Sequence, residues 1–278
     1  MRSISGHKEN YLRIYGVMVL LCLMLFVTVP AVAEAENTQF NDVRYPAHKW
    51  GDKIMSVFDS GPMILSRDDS FDVAMPPAND SQVTKDELAF LKGLETNARD
   101  DDTISRINFE NVARNAQEFF VQEGLISAVD YKTLEFLELV NNDHRYFILE
   151  RKKHFSRARP SQLDEGLVRV VENPAYAGYP SGPASQSYMI YLVLSDFDPE
   201  NAELYKQLAI DVAHRREIAG VNYPSDSAAG RQLAVDVLVR LREMPILEAK
   251  YQDTKLSYIK PDFSAKVAIR TKDQKMAE

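Results

Sequence analysis

From Thr84 to Pro245 the apolar residues recur at three- and four-residue steps and strand-like alternation is scarce, which confines this stretch to helical architecture. Thr84-x-x-Glu87 reads as a capping box ahead of Leu88, Leu91 and Leu94, so a helix is expected to begin there. A second helical run extends from Thr103 to about Glu123. A third extends from Asp130 to about Phe155, with Leu134, Leu137, Phe147 and Leu149 among its apolar positions. Pro199, following Asp198, stands at a first helical position. Behind it Tyr205, Leu208, Ala209, Val212 and Ala213 form a single stripe. The last long helix follows Pro224-Ser225 and carries Leu233, Val237 and Leu241 up to Pro245. No internal repeat of ~20–50 residues stands out. The expected fold class is all-α: one helical bundle over 84–245, in which side chains on facing helices build any site.

The flanks read differently. Arg2, Lys8 and Arg13 precede the apolar run 16–29, and Ala31-Val32-Ala33 supplies small residues for cleavage, the pattern of a secretory signal peptide over 1–33. The run is shorter than the ~20 residues a bilayer span requires, and no second run of that length follows. The mature chain is therefore expected to be periplasmic or secreted, with no membrane association after cleavage. Cys22, the only cysteine, lies inside the apolar run, so disulfides, a cysteine nucleophile and cysteine metal sites are not expected in the mature protein.

The chain carries a net charge of −8, and excluding residues 1–33, which hold three cations and one anion, moves the balance to −10. A protein that neutralises the phosphates of a nucleic-acid polymer needs a basic surface, so that class of partner is excluded. Hydrophobic residues at 45% and charged residues at 27% are a globular balance and exclude disorder as a description of the whole. Residues 34–83, with Pro46, Pro62, Pro76 and Pro77, are expected to form an irregular leader packed on the domain. Residues 246–278 are expected to be a C-terminal tail without assigned structure.

Three short segments hold residues suited to an anion. Lys152 and Arg159 lie seven apart in KKHFSRARP, at the end of a helix that Pro160 helps to stop. Lysine offers a point charge and arginine a planar fork to an oxyanion, although a solvated basic helix end has the same composition. Tyr179-Pro180-Ser181-Gly182-Pro183 puts a hydroxyl and a glycine just ahead of the apolar run 188–194. Backbone N–H groups at such a loop-to-helix junction attract anions, but many plain turns look alike. Finally, Arg216, Asn222 and Asp226 set a cation, an amide and a carboxylate across a helix, a turn and the next helix start. A turn capped by Asp226 or Ser225 is the simpler reading of that segment.

In this order the three segments resemble the bacterial class A acid phosphatases, of the type 2 phosphatidic acid phosphatase and vanadium haloperoxidase superfamily. The family's K-x6-RP, PSGH and SR-x5-H-x3-D patterns are matched by Lys152-x6-Arg159-Pro160, Pro180-Ser181-Gly182-Pro183 and Arg215-Arg216-x5-Asn222-x3-Asp226. Similarity continues through YPSGPASQSY and AGVNYPSDSAAGR and covers most of residues 84–245. The resemblance implies that Lys152, Arg159, Ser181, the backbone at Gly182 and Arg216 cradle a phosphate, with no metal and no other cofactor. It implies an orienting carboxylate at Asp226, and homodimers occur among relatives. It also implies two catalytic histidines, and here the nucleophile position is Asn222 and the general-acid position is Pro183.

An asparagine amide has no basic lone pair with which to attack phosphorus, and proline has no titratable group. General acid catalysis is worth ~10²–10⁴ in rate and covalent catalysis is lost in addition, although groups acting as one unit do not simply multiply. The four remaining histidines, His48, His144, His154 and His214, read as surface or capping residues. Asp226 is left to accept a hydrogen bond from the Asn222 amide. The first expectation is thus an exported acid phosphatase-like protein that binds phosphate or a small phosphomonoester without efficient hydrolysis. One alternative is an acid phosphatase with residual or altered mechanism, using water held by Asp226 and Asn222. Another is an interaction module with a vestigial pocket. Three cations kept in an acidic chain point to a ligand, the competing reading being a structural ion-pair network.

Overall fold

In the computed structural model residues 42–263 are described; the signal peptide expected over 1–33, the first residues of the leader and residues 264–278 of the tail lie outside them. Among the described residues the regular structure is helical, and extended pairing is confined to one bridge between Arg44 and Arg157. The helices are α1 (Asp52–Ser60), α2 (Gln82–Asn97), α3 (Asp101–Val112), α4 (Gln117–Gln122) and α5 (Tyr131–Phe155). They continue with α6 (Pro160–Leu163), α7 (Gly182–Phe197), α8 (Ala202–Ile218), α9 (Pro224–Arg242) and α10 (Pro245–Leu256). None is long and apolar enough to cross a membrane.

Helix α7 sits at the centre, packed by α5, α8 and α9. Its sequence dictates the place: no residue of it is exposed, and Met189, Ile190, Val193 and Leu194 are wholly covered. A helix without a wet face is stable only where neighbours surround it. The stripe Tyr205, Leu208, Ala209, Val212 and Ala213 of α8 is buried, as are Leu233, Val237 and Leu241 of α9. Contact between α9 and the start of α7 is tight at Gly230, where a methyl group would stand 2.5 Å from the Ser181 carbonyl oxygen. Only glycine admits that approach.

Four stretches differ from the sequence reading. Helix α2 is capped by Ser81, which accepts from the Thr84 amide, because a serine three residues upstream takes the cap first. Thr84 and Glu87 are therefore not its capping box, and Glu87 turns to tertiary partners. The run expected from Thr103 to Glu123 is broken between α3 and α4, with Ala113 capping α3 in an extended conformation. Beyond Pro245 the expected tail holds α10, because Leu247 and Tyr251 find a place in the core, Tyr251 edge-on to Phe136. The leader, in turn, contains α1. It is pinned to α5 by the wholly buried Asp143, which accepts from the amides of Met63, Ile64 and Leu65 at 2.5, 2.9 and 2.7 Å.

Candidate functional site

Four junctions converge at one end of α7. Lys152 lies in the last turn of α5, which stops where Ser156 takes a left-handed conformation (φ 47°). The chain then runs extended through Arg157-Ala158-Arg159 to Pro160, the first residue of α6, so the two arginines project to the same side. Ser181 caps α7 and Gly182 begins it. Arg216 lies in the last turn of α8, Gly220 (φ 73°) reverses the chain, and Asn222 follows just before α9 opens with Asp226 in its first turn.

Lys152 and Arg159 are each 1% exposed, and both turn onto the backbone of residues 176–178. The Lys152 ammonium donates to the carbonyls of Ala177 (2.9 Å) and Gly178 (2.7 Å). The Arg159 guanidinium donates to the carbonyls of Tyr176 (3.0 Å), Ala177 (3.2 Å) and Val221 (2.6 Å) and to Asn222 Oδ1 (3.3 Å). The Tyr176 ring lies over both charges, 5.1 Å from Lys152 Nζ and 5.5 Å from the Arg159 guanidinium carbon. Arg216, 4% exposed, makes no hydrogen bond to a described residue, and its Nε is buried without a partner. None of the three forms a salt bridge with a described residue.

Burial governs their ionisation. It pushes Lys152 well below the usual lysine range, with the positive charges of Arg159 and Arg216 acting the same way and Asp226 against. Burial lowers Arg159 to about 10 and draws Arg216 down as well. A tetrahedral anion among them would supply the missing counter-charge.

The carboxylate is paired elsewhere. Asp226 Oδ1 accepts from Arg157 at 2.6 Å, while its Oδ2 accepts from the Asn222 amide at 2.9 Å and from the Tyr223 amide at 3.1 Å. Asn222 also donates to the Gly178 carbonyl at 3.1 Å, so its whole amide is engaged in holding the 176–178 segment against α9. Asp226 thus caps α9 from inside its first turn, and Ser225 instead binds Glu87 and Arg157. Sequence reasoning missed this Glu87–Arg157–Asp226 system. Its signal was the first arginine of the R-A-R-P segment, Arg157, two residues before Arg159 along an extended stretch. Burial opposes the charge of Arg157, but Asp226, Tyr223 and Glu87 overcome it and raise its pKa.

A cavity of about 960 Å³ opens beside this cluster, lined by Lys152, Tyr176, Gly182, Pro183 and Arg216 and continuing along α5 and the α3–α4 link. Arg159, Ser181, Asn222 and Asp226 are not among its lining residues. Ser181 serves mainly as a cap, its hydroxyl 3.5 Å from the Ala184 amide. No histidine lines the cavity. His48 and His154 are exposed, and the half-covered His214 faces Glu217 at 3.0 Å. His144 corrects the expectation of a surface or capping residue. It is wholly buried, 2.8 Å from Ser185 Oγ, and burial lowers its pKa to about 3. Position 144 falls seven after Leu137 and four before Ile148, on the apolar stripe of α5, which overrides the polarity of the ring. No group of three or more metal-ligating side chains gathers among the described residues.

No family model matches the chain. It is 29% identical over 192 residues to a non-specific acid phosphatase of Salmonella typhi, an alignment covering 62% of this chain and 73% of that one. The corresponding protein of Salmonella typhimurium is 28% identical over the same extent. The chain is thus homologous to non-specific acid phosphatases. Among solved structures, a bacterial vanadium-dependent iodoperoxidase superposes with a TM-score of 0.51 at 17% identity, over 65% of this chain and 55% of that one. That likeness identifies the fold.

Proposed function

We propose that the protein is an exported acid phosphatase-like protein that holds phosphate or a small phosphomonoester between Lys152, Arg159 and Arg216 and hydrolyses it poorly or not at all. The homology supports a phosphatase-type activity as the ancestral chemistry. The observation that carries the binding half is the cluster of three buried cations without a salt bridge, an arrangement costly to a fold unless an anion completes it. Binding would exchange the Ala177 and Gly178 carbonyls for phosphate oxygens at Lys152 and Arg159, with Arg216 as the cation not already hydrogen-bonded.

The catalytic half rests on Asn222 and Pro183. In this reading they occupy the nucleophile and general-acid positions, and neither can move a proton or form a phosphoryl bond. Asp226, neutralised by Arg157 and bonded to Asn222, orients an amide instead of an imidazole. The signal peptide over 1–33 would route the chain to the periplasm or outside the cell.

Calorimetric titration with inorganic phosphate tests the binding half. Saturable binding at submillimolar to millimolar concentration is expected, lost in Lys152→Met, and that variant should melt no lower than wild type because a desolvated charge is removed. No heat at millimolar phosphate would sink it. For the other half, a chromogenic phosphomonoester should be turned over at background rate across acidic pH. Turnover near the ordinary enzymatic ~1 s⁻¹ would show that an altered mechanism operates, and the double variant Pro183→His with Asn222→His measures what the scaffold supports.

A further inference from the structure

We propose that the cavity beyond the cations is a subsite for a polyhydroxylated group, so that the ligand is a phosphorylated carbohydrate of about disaccharide length. This rests on the phosphate-holding reading above and adds what the phosphate is attached to.

The cavity wall is rich in amides that the protein leaves unsatisfied. Asn141 is 5% exposed, lines the cavity, and has neither Oδ1 nor Nδ2 hydrogen-bonded. Gln117, 3% exposed, lines it with an unpartnered Oε1, and Asn173 with an unpartnered Oδ1. Buried amide atoms without partners are rare in folded proteins, and several around one cavity call for a ligand that satisfies them. The Asn141 amide sets a free donor beside a free acceptor, the complement of two neighbouring hydroxyls, which can each give and accept; Gln117 and Asn173 each add an acceptor, the Asn173 donor being taken by Ser161.

Geometry fixes the length. Asn141, Arg145, Ile148 and Lys152 share one face of α5, because their spacings of four, three and four residues follow the helical repeat. Asn141 precedes Lys152 by eleven residues, about 16 Å along the axis, so a group bound at both ends is longer than one sugar ring. Between them Ile148 and Leu149 offer an apolar floor for the C–H face of a ring. Charge and aromatic content select against other bodies. Arg114 pairs with Glu118, and Glu110, Glu138 and Glu172 line the cavity along with Arg145, a wall that suits a neutral moiety better than a second anion. An aryl group or nucleobase asks for stacking; Tyr176 at the phosphate end is already spent on Lys152 and Arg159, and Phe119, which also lines the cavity, is packed edge-on against Phe109.

Calorimetric titration of the purified protein with inorganic phosphate, phenyl phosphate, trehalose 6-phosphate and trehalose tests the proposal. Trehalose 6-phosphate should bind about tenfold or more tighter than phenyl phosphate, the worth of one or two hydrogen bonds. Asn141→Leu should erase that advantage and leave the affinity for inorganic phosphate unchanged. If Asn141→Leu does not fold, Gln117→Met carries the test with an expected loss of about threefold. Equal affinity for the two esters, or a sugar-phosphate affinity unmoved by either variant, overturns the subsite and leaves the phosphate reading standing. Trehalose bound through Asn141 while phosphate and phenyl phosphate fail to bind overturns the phosphate reading alone. No binding of any of the four overturns both.

Discussion

His144 stays uncharged in the folded chain because its ring is sealed between α5 and α7 with one partner, Ser185 Oγ, and an unpartnered Nδ1. Its pKa of about 3 lies below the ordinary histidine value in the unfolded chain. The sign follows: the unfolded state takes up a proton that the native state refuses, so the stability this residue contributes is complete above about pH 6.5 and is lost as the pH falls toward 3. The loss amounts to on the order of a few kcal/mol. Melting curves between pH 7 and pH 4 should show a steep fall for wild type and a shallower one for His144→Gln; parallel falls would refute the assignment. The same residue shows what the sequence concealed. Lys152, Arg159 and Arg216 were legible because motif spacing names them, whereas the burial of His144 depends on which face of α5 meets α7. The roles of Arg157, Glu87 and Tyr176 were hidden for a related reason: each is defined by partners 17 to 138 positions away, beyond the reach of local pattern.

Helix identity, by contrast, was written in the periodicity. The stripes on α8 and α9 are buried as their spacing requires, and Asp130 caps α5 where the third run was expected to begin. What the periodicity did not hold was the boundary of α2, decided by a serine ahead of the assumed cap, and α10, whose apolar content is modest until Tyr251 meets Phe136. The contact of α9 with the first turn of α7 is the packing detail on which the site depends, since it sets Ser181 N 2.9 Å from the Asp226 carbonyl. Gly230→Ala should force the two helices apart, because the added carbon has backbone, not a pliable side chain, to displace. A loss of about 1–3 kcal/mol in chemical denaturation is expected, with phosphate affinity reduced in the same variant. Unchanged stability would show that the helices can slide without cost.

The leader and the bundle are one folding unit over the described residues, and Asp143 is one of several polar ties between them, beside the Arg240–Asp69 ion pair and the Tyr179 hydroxyl on the Ala74 carbonyl. Three backbone amides converge on that single carboxylate, and hydrogen bonds to a charged acceptor are worth more than neutral ones. Asp143→Asn should cost about 1–3 kcal/mol and, more tellingly, should open the stretch around 61–75 to protease before the helices unfold. Cleavage confined to global unfolding would mean that Phe71 against Phe147 suffices to hold the leader. For an anion, the molecule presents a barrier of its own making. Its surface is on balance negative while the attracting charges lie inside, 1–4% exposed and roofed by Tyr176. Long-range steering therefore opposes arrival, and added salt should hasten capture by weakening that repulsion, yet leave departure little altered because the interior contacts are poorly screened. Under the proposed phosphate reading, such a receptacle fills slowly, because the ligand crosses a repulsive surface before it meets the buried charges.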